Sequence, residues 1–189
     1  MMRPHDVRGR EATTITERPM PELKNLHDLF LHELKDALSA EEQLAKALPK
    51  MAERADSEAL RSALSDHLEQ TREHAGLISK LLGAMDAQPK AEHCEAMAGI
   101  IKEAKSMLEA KAAPAVLDAA IIASAQKAEH YEIATYGTLR EWAEQMGHDD
   151  AVETLGRILG DEIGADEKLT EVARTINSKA DKNAKAKQA

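Results

Sequence analysis

Apolar residues recur every three or four positions along almost the whole chain between residues 22 and 177. That spacing belongs to helices with one inward face, and it does not fit strands, whose sides alternate at every second residue. The side chains that carry the pattern are short. Aromatics make up 2% of the 189 residues, with one Trp, one Phe and two Tyr, so the core must be Leu, Ile, Met and Ala. Such residues suit close helix packing rather than stacked sheets. Nine Gly and six Pro break the pattern, which favours few, long helices.

The spacing and its breaks predict five helices. The first spans 22–54, with Leu26, Phe30, Leu34, Ala37, Leu44, Leu48 and Met51 on its apolar line. Pro49 lacks an N–H and is expected to bend or interrupt it. The second spans 57–82, with Leu60, Leu64, Leu77 and Leu81 on its line; Asp56 or Ser57 is its expected cap and Gly83 its stop. A shorter helix follows at 92–109. Pro114 opens the fourth, which Gly147 ends after residue 146. The fifth begins at 149 or 150 and reaches 177. Its Gly156, Gly160 and Gly164 are four apart and predict close approach of a neighbouring helix, within the chain or across a subunit interface.

Tight turns join the first pair of long helices and the last pair, so each pair is an antiparallel hairpin. A long crossover carrying the short helix joins the hairpins. That connectivity gives an all-α, ferritin-like four-helix bundle with a short fifth helix in its crossover. Residues 1–21 read as a disordered N-terminal arm, 22–177 as the bundle domain, and 178–189, with four Lys, as a flexible basic tail.

The formal net charge of -9 argues against a nucleic-acid partner held by phosphate contacts. Cys94 is the single cysteine, which excludes an intrachain disulfide and fits a reducing compartment, the cytoplasm. No apolar run is long enough to span a membrane. Near a helix start, the Cys94 thiol is expected to have a lowered pKa.

Each long helix interrupts its apolar line with groups that bind protons or metals. Glu41 follows Ala37 in the first; His67, Gln70 and His74 separate Leu64 from Leu77 in the second. Glu129, Glu132 and Tyr136 follow Ala125 in the fourth, and Glu162 and Asp166 follow Leu159 in the fifth. At about 1.5 Å of rise per residue, Glu41 and Gln70 lie roughly 21 Å from the first turn. Glu132 and Glu162 lie roughly 22 Å from the second turn, and Glu129 and Asp166 roughly 28 Å from it. The interruptions therefore share one middle layer. Buried carboxylates are costly without a counter-charge, and Glu and His ligands at mid-bundle match a dinuclear transition-metal site. Iron there would give access to oxygen or peroxide chemistry, with a small oxidant as reactant. The candidate ligands are Glu41, His67, Gln70, His74, Glu129, Glu132, Glu162 and Asp166. Glu33 is an alternative in the first helix, and Gln70 is a poor ligand for a hard cation. A metal-free layer of hydrogen bonds and ion pairs is the competing reading. Tyr131 and Tyr136 are expected to hydrogen-bond to the layer, and Trp142 to plug the core.

Several segments resemble the YciE/YciF family of bacterial ferritin-like proteins. They are LFLHELKDALSAEEQLAKALPKM at 29–51, HLEQTREH at 67–74, CEAMAGIIKEAKSML at 94–108, AQKAEHYEIATYGTLREWAEQMG at 125–147 and DEIGADEKLTEVA at 161–173. The resemblance covers residues 22–176. It implies a ferritin-like bundle assembled as a homodimer, an association with bacterial stress responses, and a metal pair at mid-bundle. It supports Glu41, His67, Glu129, Glu132 and Glu162 as site residues. This chain departs from the usual HLEET at Gln70 and lacks the paired Glu-x-x-His signatures of ferritin and rubrerythrin sites. His74, one turn on, can compensate. The expected function is stress-associated metal binding with oxygen or peroxide reactivity; the alternative is a non-enzymatic structural or interaction protein.

Overall fold

A computed structural model describes residues 22–186, with side chains described for 22–182. Five helices follow in order: α1 (Leu26–Arg54), α2 (Glu58–Ala84), α3 (Glu95–Leu108), α4 (Pro114–Met146) and α5 (Asp149–Ala186). No strand occurs among the described residues. α1 lies along α2 and α4 along α5, and α3 rests against both α1 and α4. This is the expected pair of hairpins with a helical crossover. The N-terminal arm read at 1–21 lies outside the described residues.

The helix ends differ from expectation where a cap lies out of register or far away in sequence. α1 starts at Leu26 because Asn25 accepts the Asp28 N–H at 2.9 Å. Pro49 does not divide α1; it lies on an exposed side and the helix continues to Arg54. Ser57 makes no side-chain cap on α2. Instead the Asp118 carboxylate reaches across from α4 and accepts the N–H groups of Asp56 at 2.8 Å and Ser57 at 2.9 Å. Gly83 is not the stop of α2. The helix runs to Ala84, and Asp86 takes the left-handed turn at φ 54. A short polar side chain tolerates that conformation. Gly147 ends α4 at φ 72 as expected. α5 does not stop near 177; residues 178–186, read as part of the tail, continue it as helix. They contain neither Gly nor Pro, and Ala and Lys propagate helix well.

The crossover is fastened to α1. Ser39 Oγ accepts the Cys94 N–H at 3.1 Å, and Gln43 Nε2 donates to the Cys94 carbonyl at 3.0 Å. Cys94 caps α3, its sulfur accepting the Met97 N–H at 3.3 Å. The thiol is buried, and burial raises its pKa, the reverse of the lowering expected at a helix start.

The glycines of α5 admit no close neighbour within the chain. A Cβ at Gly156 would meet only the Arg140 side chain, at 3.5 Å, and one at Gly160 or Gly164 would meet nothing within 4 Å. No helix among the described residues is long and apolar enough to cross a membrane.

The apolar core is split into two clusters. One holds Phe30, Leu34, Ile78, Leu82, Leu139, Leu155 and Ile158. The other holds Leu44, Leu48, Leu60, Leu64, Met97, Ile121, Leu169 and Ile176. Each fully buried aliphatic side chain contributes about 1.5–3 kcal/mol. The buried residues between the clusters, Glu41, His67, Thr71, His74, Glu129, Glu132 and Glu162, are polar, which sets a layer of charge-bearing groups across the middle.

Candidate metal centre

Each long helix turns part of its interrupted stripe into this layer. Glu41 comes from α1, His67 and His74 from α2, Glu129 and Glu132 from α4, and Glu162 from α5. All six are at most 4% exposed. The 3.6-residue period explains the selection: steps of three, four or seven return a side chain to the same face.

The six side chains form two groups that share one residue. His67, Glu129, Glu132 and Glu162 make the first, and Glu41, His74 and Glu162 the second. Within each group one ligand atom per residue lies within 4.8 Å of all the others. His67 Nε2 is 3.3 Å from Glu129 Oε1 and 3.8 Å from Glu162 Oε2. His74 Nδ1 is 2.8 Å from Glu162 Oε1 and 3.6 Å from Glu41 Oε1. Its other nitrogen, Nε2, is 3.2 Å from Asp161 Oδ2 at the half-exposed edge of the layer. Tyr136 Oη donates to Glu41 Oε1.

Most of the polar atoms in this layer have no hydrogen-bond partner. Both oxygens of Glu132, both of Glu162, one each of Glu41 and Glu129, and both ring nitrogens of His67 are buried without one. Native interiors leave few such groups, because each costs about 1–3 kcal/mol or more.

Burial and crowding set the protonation of the layer. Burial pushes Glu41 up to about 7, with the Glu162 charge adding to it and His74 and Tyr136 opposing. Burial, and then the neighbouring carboxylates, hold Glu129 and Glu132 well above the usual carboxylate range. Burial alone would lower His74, but Glu162 and Glu41 outweigh it and raise its pKa to about 10. Burial raises Glu162, yet His74 and His67 bring it below its ordinary value. His67 is lowered by burial. The metal-free layer is thus a His74–Glu162 ion pair beside a neutral imidazole and carboxyls that retain their protons. Divalent cations compete for the same atoms, because binding a metal releases those protons.

Two of the eight sequence candidates stand apart. Asp166 joins neither group; its Oδ1 accepts from Gln126 Nε2 at 3.0 Å and lies 3.5 Å from His130 Nε2. Gln70 is half-buried, and the inward place beside it belongs to Thr71, which is fully buried and donates to the His67 carbonyl at 2.9 Å. The inward line of α2 therefore runs His67, Thr71, His74, Ile78, with Leu77 only partly buried. Each residue adds about 100° of rotation, so a one-place shift moves a side chain off the face. Glu33 lies outside both groups, in a surface depression with Tyr131, Thr135 and Trp142. Trp142 is only partly buried, against the Phe30 cluster. Tyr131 hydrogen-bonds to Asp36 at 2.7 Å and Cys94 at 3.1 Å rather than to the layer. Asp161 was missed, and a half-exposed residue beside Glu162 leaves no signal in the apolar pattern.

Residues 25–182 match the family model described as a domain of unknown function, DUF892. Protein YciF of Escherichia coli strain K12 is 42% identical over 164 residues, which cover 86% of this chain and 99% of that protein. The crystal structure of the E. coli stress protein YciF superposes with a TM-score of 0.80 at 41% identity, covering 83% of this chain and 99% of that one. A solved chain from Rhodopseudomonas palustris, named YcfI and described provisionally as a structural protein, is 44% identical. Its TM-score is 0.75, with 78% of this chain and 94% of that chain covered.

Proposed function

This chain belongs to the DUF892 family, and from that premise we propose that its buried layer holds two divalent transition-metal ions, iron first among them, in a stress-associated role. His67, Glu129, Glu132 and Glu162 would hold one ion, and Glu41, His74 and Glu162 the other, with Glu162 shared. The observation that carries this reading is the set of buried donor atoms without hydrogen-bond partners, drawn from four helices into one layer. Charge supports it as well. Glu41, Glu129, Glu132 and Glu162 supply four negative charges when ionised, which two divalent cations would balance. Nitrogen and carboxylate donors together suit iron or manganese.

A bound iron pair supplies one-electron chemistry with oxygen or peroxide. The chain's own residues prepare the site for it. Asp161 accepts from His74 Nε2, which leaves Nδ1 turned toward the carboxylates. Tyr136 holds Glu41 in place through its hydroxyl. The two apolar clusters close the layer off above and below. The name of the E. coli relative supports the association with stress. The family resemblance supports a homodimer, and the lone Cys94 supports a reducing compartment such as the cytoplasm.

The second reading is a structural or interaction protein with a metal-free layer. The His74–Glu162 pair favours it, because it supplies an internal counter-charge. Elemental analysis of protein expressed with iron and manganese present separates the two. Two metal ions per chain are expected, and their loss in the double variant Glu129→Ala, Glu162→Ala. Wild-type protein that holds no metal near neutral pH would sink the first reading.

A further inference from the structure

The two hairpins do not close completely along the seam between α2 and α5. A cavity of about 280 Å³ opens there, lined by Ala63, His67, Gln70, Glu129, Gly160 and Gly164 among others. It reaches from the surface to one side of the polar layer. Gly160 and Gly164 keep it open, since a Cβ on either would stand in empty space. At its floor His67 is 4% exposed, and neither ring nitrogen has a hydrogen-bond partner; Glu129 Oε2 is also unpartnered. At its mouth stand Asp66, Asp161 and Lys168.

We infer that this seam is the way in, and the resting place, for a small uncharged hydrogen-bonding molecule of hydrogen-peroxide size that approaches the layer beside His67. The inference rests on the metal reading for its chemistry and on the cavity for its geometry. An anion would meet Asp66 and Asp161 at the mouth, with Lys168 the one cationic side chain of the lining to offset them. A further cation would find no free carboxylate in the layer once two divalent ions balance the four there. An uncharged molecule with both donor and acceptor atoms finds the Gln70 amide and His67 Nδ1, the ring nitrogen turned away from the carboxylates and without a partner. The glycines thus act through the width of the path, and Gln70 through its neutral polar head. A glutamate at position 70 would add a negative charge to the wall.

The metal-free full-length chain tests the path directly. Iodoacetamide and its anionic counterpart iodoacetate are applied, and alkylation of His67 is read by peptide mass spectrometry against His130, whose side chain is 70% exposed. Iodoacetamide is expected to label His67 readily, and iodoacetate to label it at least about tenfold more slowly relative to His130. Gly160→Leu and Gly164→Leu are expected to cut labelling by iodoacetamide several-fold. At both positions a Cβ meets nothing within 4 Å, and leucine gains helix propensity over glycine. Gly137→Leu on α4, also in open space, should leave labelling unchanged. An inert His67 in the wild type, or undiminished labelling in both seam variants, overturns the path. Equal labelling by the two reagents overturns its preference for uncharged molecules. Labelling as expected in a chain that takes up no metal keeps the path and removes only the metal reading.

Discussion

Glu132 is fully enclosed, and neither of its oxygens has a hydrogen-bond partner. Glu41, Glu162 and Glu129 all oppose its ionisation. A residue so placed destabilises the metal-free fold and matters only when a cation arrives. Glu132→Leu is therefore expected to stabilise the chelated protein by about 1–3 kcal/mol in urea denaturation. The same variant should lose the metal held by the His67 group. A variant that is less stable when chelated, or that keeps its full metal complement when loaded, would count against this. At this scale the sequence pattern was informative for the carboxylates of α4, because Glu129 and Glu132 lie three apart between Ala125 and Leu139. It was uninformative for Thr71, since a threonine on a helix marks neither face. The gap between Leu64 and Leu77 let Gln70 take its place in the reading.

The beginning of α2 depends on another helix. Asp118 of α4 is 2% exposed and accepts the N–H groups of Asp56 and Ser57. These are among the donors that a helix start leaves without intrahelical partners, and a charged acceptor makes strong bonds to them. Removing it leaves both N–H groups without that acceptor. Asp118→Ala is expected to cost about 2–3 kcal/mol, measured as a lower urea midpoint with metal content unchanged. A loss within experimental error would show that water replaces the carboxylate at no cost. The elements themselves were legible, because long apolar periods and a few breaks define helices by local rules. Caps were less so. Asn25 and Gly147 are local signals, but the Asp118 cap joins residues more than sixty positions apart, and no sequence window contains both.

For the whole molecule, the layer couples folding to protons. In the folded metal-free chain His74 retains its proton up to about pH 10, against an ordinary value of 6.5. The stability from this proton is complete below 6.5 and is lost as pH rises toward about 10. Glu129 and Glu132, raised by burial and then by neighbouring carboxylates, act in the same direction. His67, lowered by burial, acts in the opposite direction, but only below its ordinary value. The thermal midpoint of chelated protein is therefore expected to fall in calorimetry from neutral pH to about 10. Metal-loaded protein should hold its midpoint over that range, because metal replaces the protons and binds more tightly as they leave. A midpoint that climbs with alkali in the chelated protein would contradict this. The common height of the layer could be read from helix rise alone. The division of its residues into two groups sharing Glu162 could not, because rise gives height but not the side-chain directions across a bundle.

Cys94 sits 1% exposed where the crossover is fastened to α1, and it is the chain's sole thiol. An intact molecule is silent to a thiol reagent, and one whose crossover lifts answers once. The slow colour that such a reagent develops is then a stopwatch for the breathing of that segment, started without any label or mutation.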